Sequence, residues 1–112
     1  MKLVIVIIQD KDVLNLMDAI TEAKFGVTKL ASTGGFLREG NTTLLIGVEK
    51  EKVDEVISIV KDICKKRNKI LDNTPYTIAE STGIIVPYSG ELQVEVGGAT
   101  VFVVDVDKFI KV

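Results

Sequence analysis

The chain has 112 residues, 46% of them hydrophobic and 27% charged, the balance of an ordinary globular domain with one core. Its formal net charge of -2 argues against a dominant electrostatic grip on a nucleic-acid polymer or an anionic membrane. There is no histidine and a single cysteine, Cys64, which excludes histidine-assisted nucleophiles, an internal disulfide and a cysteine metal cluster, and suits a reducing compartment.

The chain opens MKLVIVIIQD. The apolar run is too short for a signal-peptide core or a membrane span, which predicts a cytoplasmic protein without membrane insertion. Short, β-branched and closed by Gln9 and Asp10, residues 3–8 read as a buried strand. From an N-cap at Asp10 or Asp12 to about Lys24, Val13, Met17, Ile20 and Ala23 recur at helical spacing. Residues 27–32 and 42–48 read as a second and a third strand. In EKEKVDEVISIVKDICKK, residues 49–66, Val53, Val56, Ile57, Val60, Ile63 and Cys64 form the stripe of an amphipathic helix. Acidic residues at its start and basic ones at its end suit the helix dipole. ELQVEV (91–96) alternates like a half-exposed strand, and TVFVVDV (100–106) reads as a further one, with Gly97–Gly98 as the expected hairpin between them.

The expected order is β-α-β-β-α-β with an extra C-terminal strand, an α+β ferredoxin-like arrangement in one domain over residues 1–112. Residues 68–90, with Pro75, Tyr76, Gly83, Pro87 and Tyr88, read as a long irregular loop, a length that is uncommon without a function. Two helices cover only one face of such a sheet. The first and last strands are nevertheless apolar at consecutive positions, hence on both faces. A second copy of the chain is the simplest cover for the other face; the long loop folding back over it is the alternative.

The segment TGGFLREGNTT, residues 33–43, comes close to the phosphate-loop spacing G-x-x-x-x-G-K-[ST]. Asn41 stands where the lysine belongs, and the residues after it read as strand, so the helix N-terminus of a phosphate loop is missing too. Gly34, Gly35 and Gly40 shape a plain β-β connection, or they free backbone amides for phosphate beside an exposed Phe36 that stacks a base. Cys64 lies on the apolar stripe of its helix and reads as a core thiol. Asp105 and Asp107 lack the further oxygen donors of a metal loop. An RNA-recognition sheet needs aromatics on its central strands and finds none, and no arginine-bearing phosphate loop follows the first strand.

MKLVIVIIQDKD, TKLASTGGFLREGNTTLLIGV (28–48) and VEVGGATVFV (94–103) together resemble the PII-like cyclic-di-AMP receptor family, related to the nitrogen-regulatory PII proteins. The resemblance covers nearly the whole chain and is weakest over residues 68–90. It implies a homotrimer that binds cyclic-di-AMP between subunits, near two mobile loops at about 33–41 and 68–90, and that signals to an undefined protein partner. It implies neither catalysis nor a cofactor. Carried over by position, Thr28 would bond an adenine or phosphate; Gly35, Phe36 and Leu37 would form a wall against one adenine. Asn41 would read an adenine edge, Gly47 would give a backbone contact, and Phe102 would line the opposite side. Two positions depart from the family pattern: Gly26 stands where an arginine is frequent, and Lys111 where a glutamine is usual. Lys111 would supply positive charge, as a point and not a planar fork. The competing expectation is a PII-like module that binds ATP or another metabolite and docks a partner.

Overall fold

In a computed structural model of the chain, residues 1–30, 40–71, 76–78, 85–87 and 92–112 are described. In chain order they form β1 (Lys2–Gln9), α1 (Val13–Glu22), β2 (Thr28–Leu30), β3 (Asn41–Val48), α2 (Val53–Cys64), β4 (Arg67–Leu71), β5 (Tyr76–Ile78), β6 (Ile85–Pro87), β7 (Leu92–Val96) and β8 (Ala99–Asp105). They fall into two compact units, one of residues 1–65 and 97–112, the other of residues 66–96.

The first unit holds a four-stranded sheet in the order β2-β3-β1-β8, antiparallel at every pairing. With α1 and α2 this is the ferredoxin-like α+β arrangement. Alternation along β1 sends Val4, Val6 and Ile8 to one face, and all three are buried with Leu44 and Ile46 of β3. Helix α1 adds Val13, Leu16 and Ile20, and α2 adds Val56, Val60 and Cys64. In α1 these fall at i, i+3 and i+7 and in α2 at i, i+4 and i+8, so each helix turns one apolar stripe onto the same side of the sheet.

The closing strand differs from expectation. ELQVEV does not complete the ferredoxin sheet; the last strand, β8, does so by pairing with β1. β7 instead pairs with β4 in the second unit. Gly97 and Gly98 therefore lie between two separate pairings and close no hairpin. Their φ angles of 91° and 92° still require glycine, since a Cβ is strained there. The residues expected to be irregular also contain strands: β4 pairs with β7 and β5 with β6, both antiparallel. Arg67 opens β4, because α2 ends at Cys64 and not within the basic run that follows. β5 and β6 are three residues each, too short for alternation to register as a pattern.

Of the two aspartates expected to cap α1, Asp12 holds the N-cap position but gives no side-chain cap bond. Asp10–Asp12 forms a 3-10 turn before the helix, and Gln9 before that turn makes no side-chain cap bond either. Asp10 instead accepts a hydrogen bond from the Thr42 hydroxyl. At the other end of α1, Lys24 N–H donates to Thr21 O at 2.9 Å and Phe25 N–H to Ile20 O at 3.1 Å. That bond pair is a Schellman closure, and it places Lys24 at the left-handed position with φ of 72°. A side chain there is disfavoured. Lys24→Gly is expected to stabilise the chain by about 1 kcal/mol, net of the glycine's unfolded-state entropy. The melting midpoint should rise by a few degrees in calorimetry; an unchanged or lower midpoint contradicts the cap assignment.

Candidate functional site

The sheet of the first unit has a second face, opposite the helices. Strand pairing places Thr28, Leu45, Ile5 and Phe102 side by side across all four strands, because directly paired residues point the same way. Neighbouring rows on the same face are Gly47–Leu3–Val104 and Leu30–Thr43–Ile7–Thr100, with Asn41 opposite Gln9 at the end. Four expected site residues, Thr28, Asn41, Gly47 and Phe102, thus share one face although they come from three strands. That face is apolar and largely open: Leu30 is 43% exposed, Phe102 48% and Val104 41%. Leu3, Ile5, Ile7 and Leu45 are half-buried on it, and Thr43 is the exception, buried at 7%.

At one corner of this face lies a cleft of about 690 Å³, within the usual range for small-molecule sites. Thr28 and Gly47 line it from the sheet, Gly26 and Val27 from the approach to β2, and Phe109, Ile110 and Lys111 from the C-terminal segment. Val106 N–H donates to Met1 O at 3.3 Å, which ties the start of that segment to β1. A Cβ built on Gly26 or Gly47 would meet nothing within 4 Å. Bare backbone at both positions leaves room for a ligand to approach the chain closely.

Among the described residues, the charged side chains that line the cleft are Lys2 and Lys111, with no aspartate or glutamate. Lys2 is ion-paired with Asp105, whose carboxyl is held below its ordinary value, first by the hydrogen bond from Lys2 and then by its charge. For Lys111 no ion pair is found among the described residues. An apolar wall from Leu3, Val27, Leu45, Phe109 and Ile110, with an uncommitted ammonium at its edge, fits a flat apolar group that carries an anion.

The structure gathers Thr28, Gly47 and Lys111 in this cleft and leaves two other expected residues apart from it. Asn41 begins β3 and Gly47 nearly ends it, so six residues of strand, about 20 Å, separate them. Phe102 sits three strands from Thr28, about 14 Å across the sheet. Gly35, Phe36 and Leu37, like most of the 33–41 loop, lie outside the described residues. Phe109, Ile110 and Val27 also line the cleft, yet sequence reasoning did not place them in a site. For the first two a signal exists: an aromatic–aliphatic pair between Lys108 and Lys111, beyond the last strand and 64% and 68% exposed.

Among the described residues, no helix is long and apolar enough to cross a membrane, and no group of acidic residues or cysteine is arranged to hold a metal ion. Asn41 leads directly into strand β3, so the phosphate-loop reading fails on structure as well as on its missing lysine.

Comparison with known proteins agrees with this geometry. A solved structure described as a functionally unknown protein from Pediococcus pentosaceus ATCC 25745 is 41% identical and superposes with a TM-score of 0.77, covering 99% of this chain and 96% of that one. The family model for the cyclic-di-AMP receptor matches residues 1–112. A match over the full length, on a ferredoxin-like sheet with an anion-suited cleft, places this chain in the cyclic-di-AMP receptor family.

Proposed function

We propose that this protein is a non-enzymatic cytoplasmic signalling protein that binds cyclic-di-AMP as a homotrimer, with the ligand held between neighbouring subunits. Binding reorders the segments around residues 33–41 and 68–90, which then engage or release a protein partner. The observation that carries the reading is the cleft: Thr28, Gly47 and Lys111 meet there in a chain of the cyclic-di-AMP receptor family. Thr28 offers a hydroxyl to an adenine or phosphate, Gly47 a bare backbone, and Lys111 a charge for a phosphate.

Two further observations favour an intersubunit site. The sheet face that bears these residues is apolar and uncovered by the helices, and monomers rarely leave such a face to water. Asn41 and Gly47 lie at opposite ends of β3, too far apart to grip one adenine from a single chain. In a ring of subunits, the Asn41 end of one copy meets the cleft end of the next. Gly35, Phe36 and Leu37, a few residues before Asn41, would come with it and wall the adenine, and Phe102 would line the same joint.

Calorimetry with cyclic-di-AMP, ATP and cyclic-di-GMP tests the assignment. Saturable heat with the first and much weaker binding of the others is expected. Silence with cyclic-di-AMP, or equal binding of all three, overturns it. Tight ATP binding without a response to cyclic-di-AMP would mark a PII-like metabolite sensor instead, which the scarcity of uncommitted cations in the cleft disfavours. Asn41→Ala should lose ligand binding, by tenfold or more as expected for an adenine-edge contact, while the assembly stays intact in light scattering. Dissociation of that variant would show that Asn41 serves structure and not the ligand.

A further inference from the structure

We infer that Phe109 is an adenine-stacking residue of the cleft, working with Lys111 as a base-and-phosphate clamp on the C-terminal segment. The inference rests on the cyclic-di-AMP reading and adds a contact that the resemblance to the family does not carry.

Phe109 lines the cleft and is also 64% exposed. An aromatic ring left that open at a cavity wall has a free π-face, and such a face accepts a purine by stacking. The ring is not part of the packed core, which consists of the helix stripes and the inner face of the sheet. Its placement is therefore not explained by folding. Lys111 lies two residues further on and lines the same cleft. Two residues span at most about 7 Å of chain, a separation suited to a base and the phosphate one sugar away. Ile110, between them, adds apolar wall. Facing this segment are Gly47 and Gly26, where no side chain narrows the space. The chemistry of the walls thus selects a ligand with an aromatic ring system and a nearby anion, and among the described lining residues no carboxylate repels that anion.

The chain contains no tryptophan, which provides a direct test. Phe109→Ala, Phe109→Tyr and Phe109→Trp are compared with the wild-type chain in calorimetry with cyclic-di-AMP. Truncation to alanine should weaken binding by roughly fivefold to a hundredfold, and the tyrosine and tryptophan variants should keep affinity near that of the wild type. In Phe109→Trp the only indole reports the site, and cyclic-di-AMP should quench its fluorescence saturably, at the ligand concentration that calorimetry reports.

Two results overturn the inference while leaving the receptor assignment standing. One is wild-type affinity in Phe109→Ala. The other is a Phe109→Trp protein that binds cyclic-di-AMP in calorimetry without any change in its indole emission. A wild-type chain that gives no heat with cyclic-di-AMP overturns the assignment itself, and the inference with it.

Discussion

Gly26→Arg is expected to tighten cyclic-di-AMP binding by roughly tenfold to a hundredfold. The position lines the cleft with Thr28 and Lys111, and a Cβ placed there meets no atom within 4 Å. Its backbone is not among the left-handed residues of the chain, so no glycine-specific conformation is lost. A guanidinium at this point offers a planar fork to a phosphate, and a charge-assisted hydrogen bond contributes about 1.5–3 kcal/mol. At about 1.4 kcal/mol per factor of ten, that range gives the expected gain. Gly26→Gln is the control, since it has hydrogen-bonding reach without charge. Calorimetry at two salt concentrations separates the two: the arginine variant should gain more at low salt, and the glutamine variant should not. Equal affinity in the wild type and Gly26→Arg would show that the phosphate lies elsewhere, and the cleft would lose its place in the mechanism.

The second large effect concerns assembly. If the chain assembles through the sheet face away from the helices, Val104→Asp should convert that assembly to monomers in light scattering while leaving the circular dichroism spectrum unchanged. Val104 pairs with Leu3 on the face away from the helices and is 41% exposed in the single chain, so the substitution leaves the packed core untouched. In an assembly that buries this face, the new carboxylate would be desolvated without a partner. Burial of an unpaired charge costs several kcal/mol per site, and a symmetric ring repeats that cost in every copy. Retention of the wild-type oligomer would place the subunit contact on another surface. A wild-type chain that is itself monomeric would overturn the oligomer reading.

Much of this architecture is written in local pattern. Val4, Val6 and Ile8, with the stripes of α1 and α2, announce the core because burial imposes periods of 2 and 3.6 on apolar residues. The consecutive apolar residues of β1 and β8 also signalled a two-faced sheet, and the open face carries Leu3, Ile5 and Phe102 as that argument requires. Partner choice among strands was not legible. ELQVEV and TVFVVDV both read as strands, but nothing local states that β8 pairs with β1 while β7 pairs with β4. Pairing over nearly a hundred residues is decided by the whole chain. The choice between Asp10 and Asp12 as the cap was not legible for a related reason: an aspartate has many available hydrogen-bond partners, and while Asp12 holds the N-cap position, Asp10 takes Thr42 from a distant strand. Thr28, Gly47 and Lys111 came from resemblance, and no periodicity in the chain points to them. Phe109 was passed over because an aromatic beyond the last strand has no pattern to belong to; only the cleft gives it a context.

The spacing of Asn41 and Gly47 along β3 has a consequence for how the protein works as a switch. If the two ends of that strand complete a pocket only when copies meet, then occupancy and assembly are linked equilibria. Each must favour the other by the same free energy. Saturating ligand would hold the ring together, with about 2.7 kcal/mol per site at a hundred times its dissociation constant. Dilution below the assembly threshold would blunt the response even with abundant second messenger. The cell could then set the sensitivity of the receptor by how much of the protein it makes, without altering a single contact in the pocket.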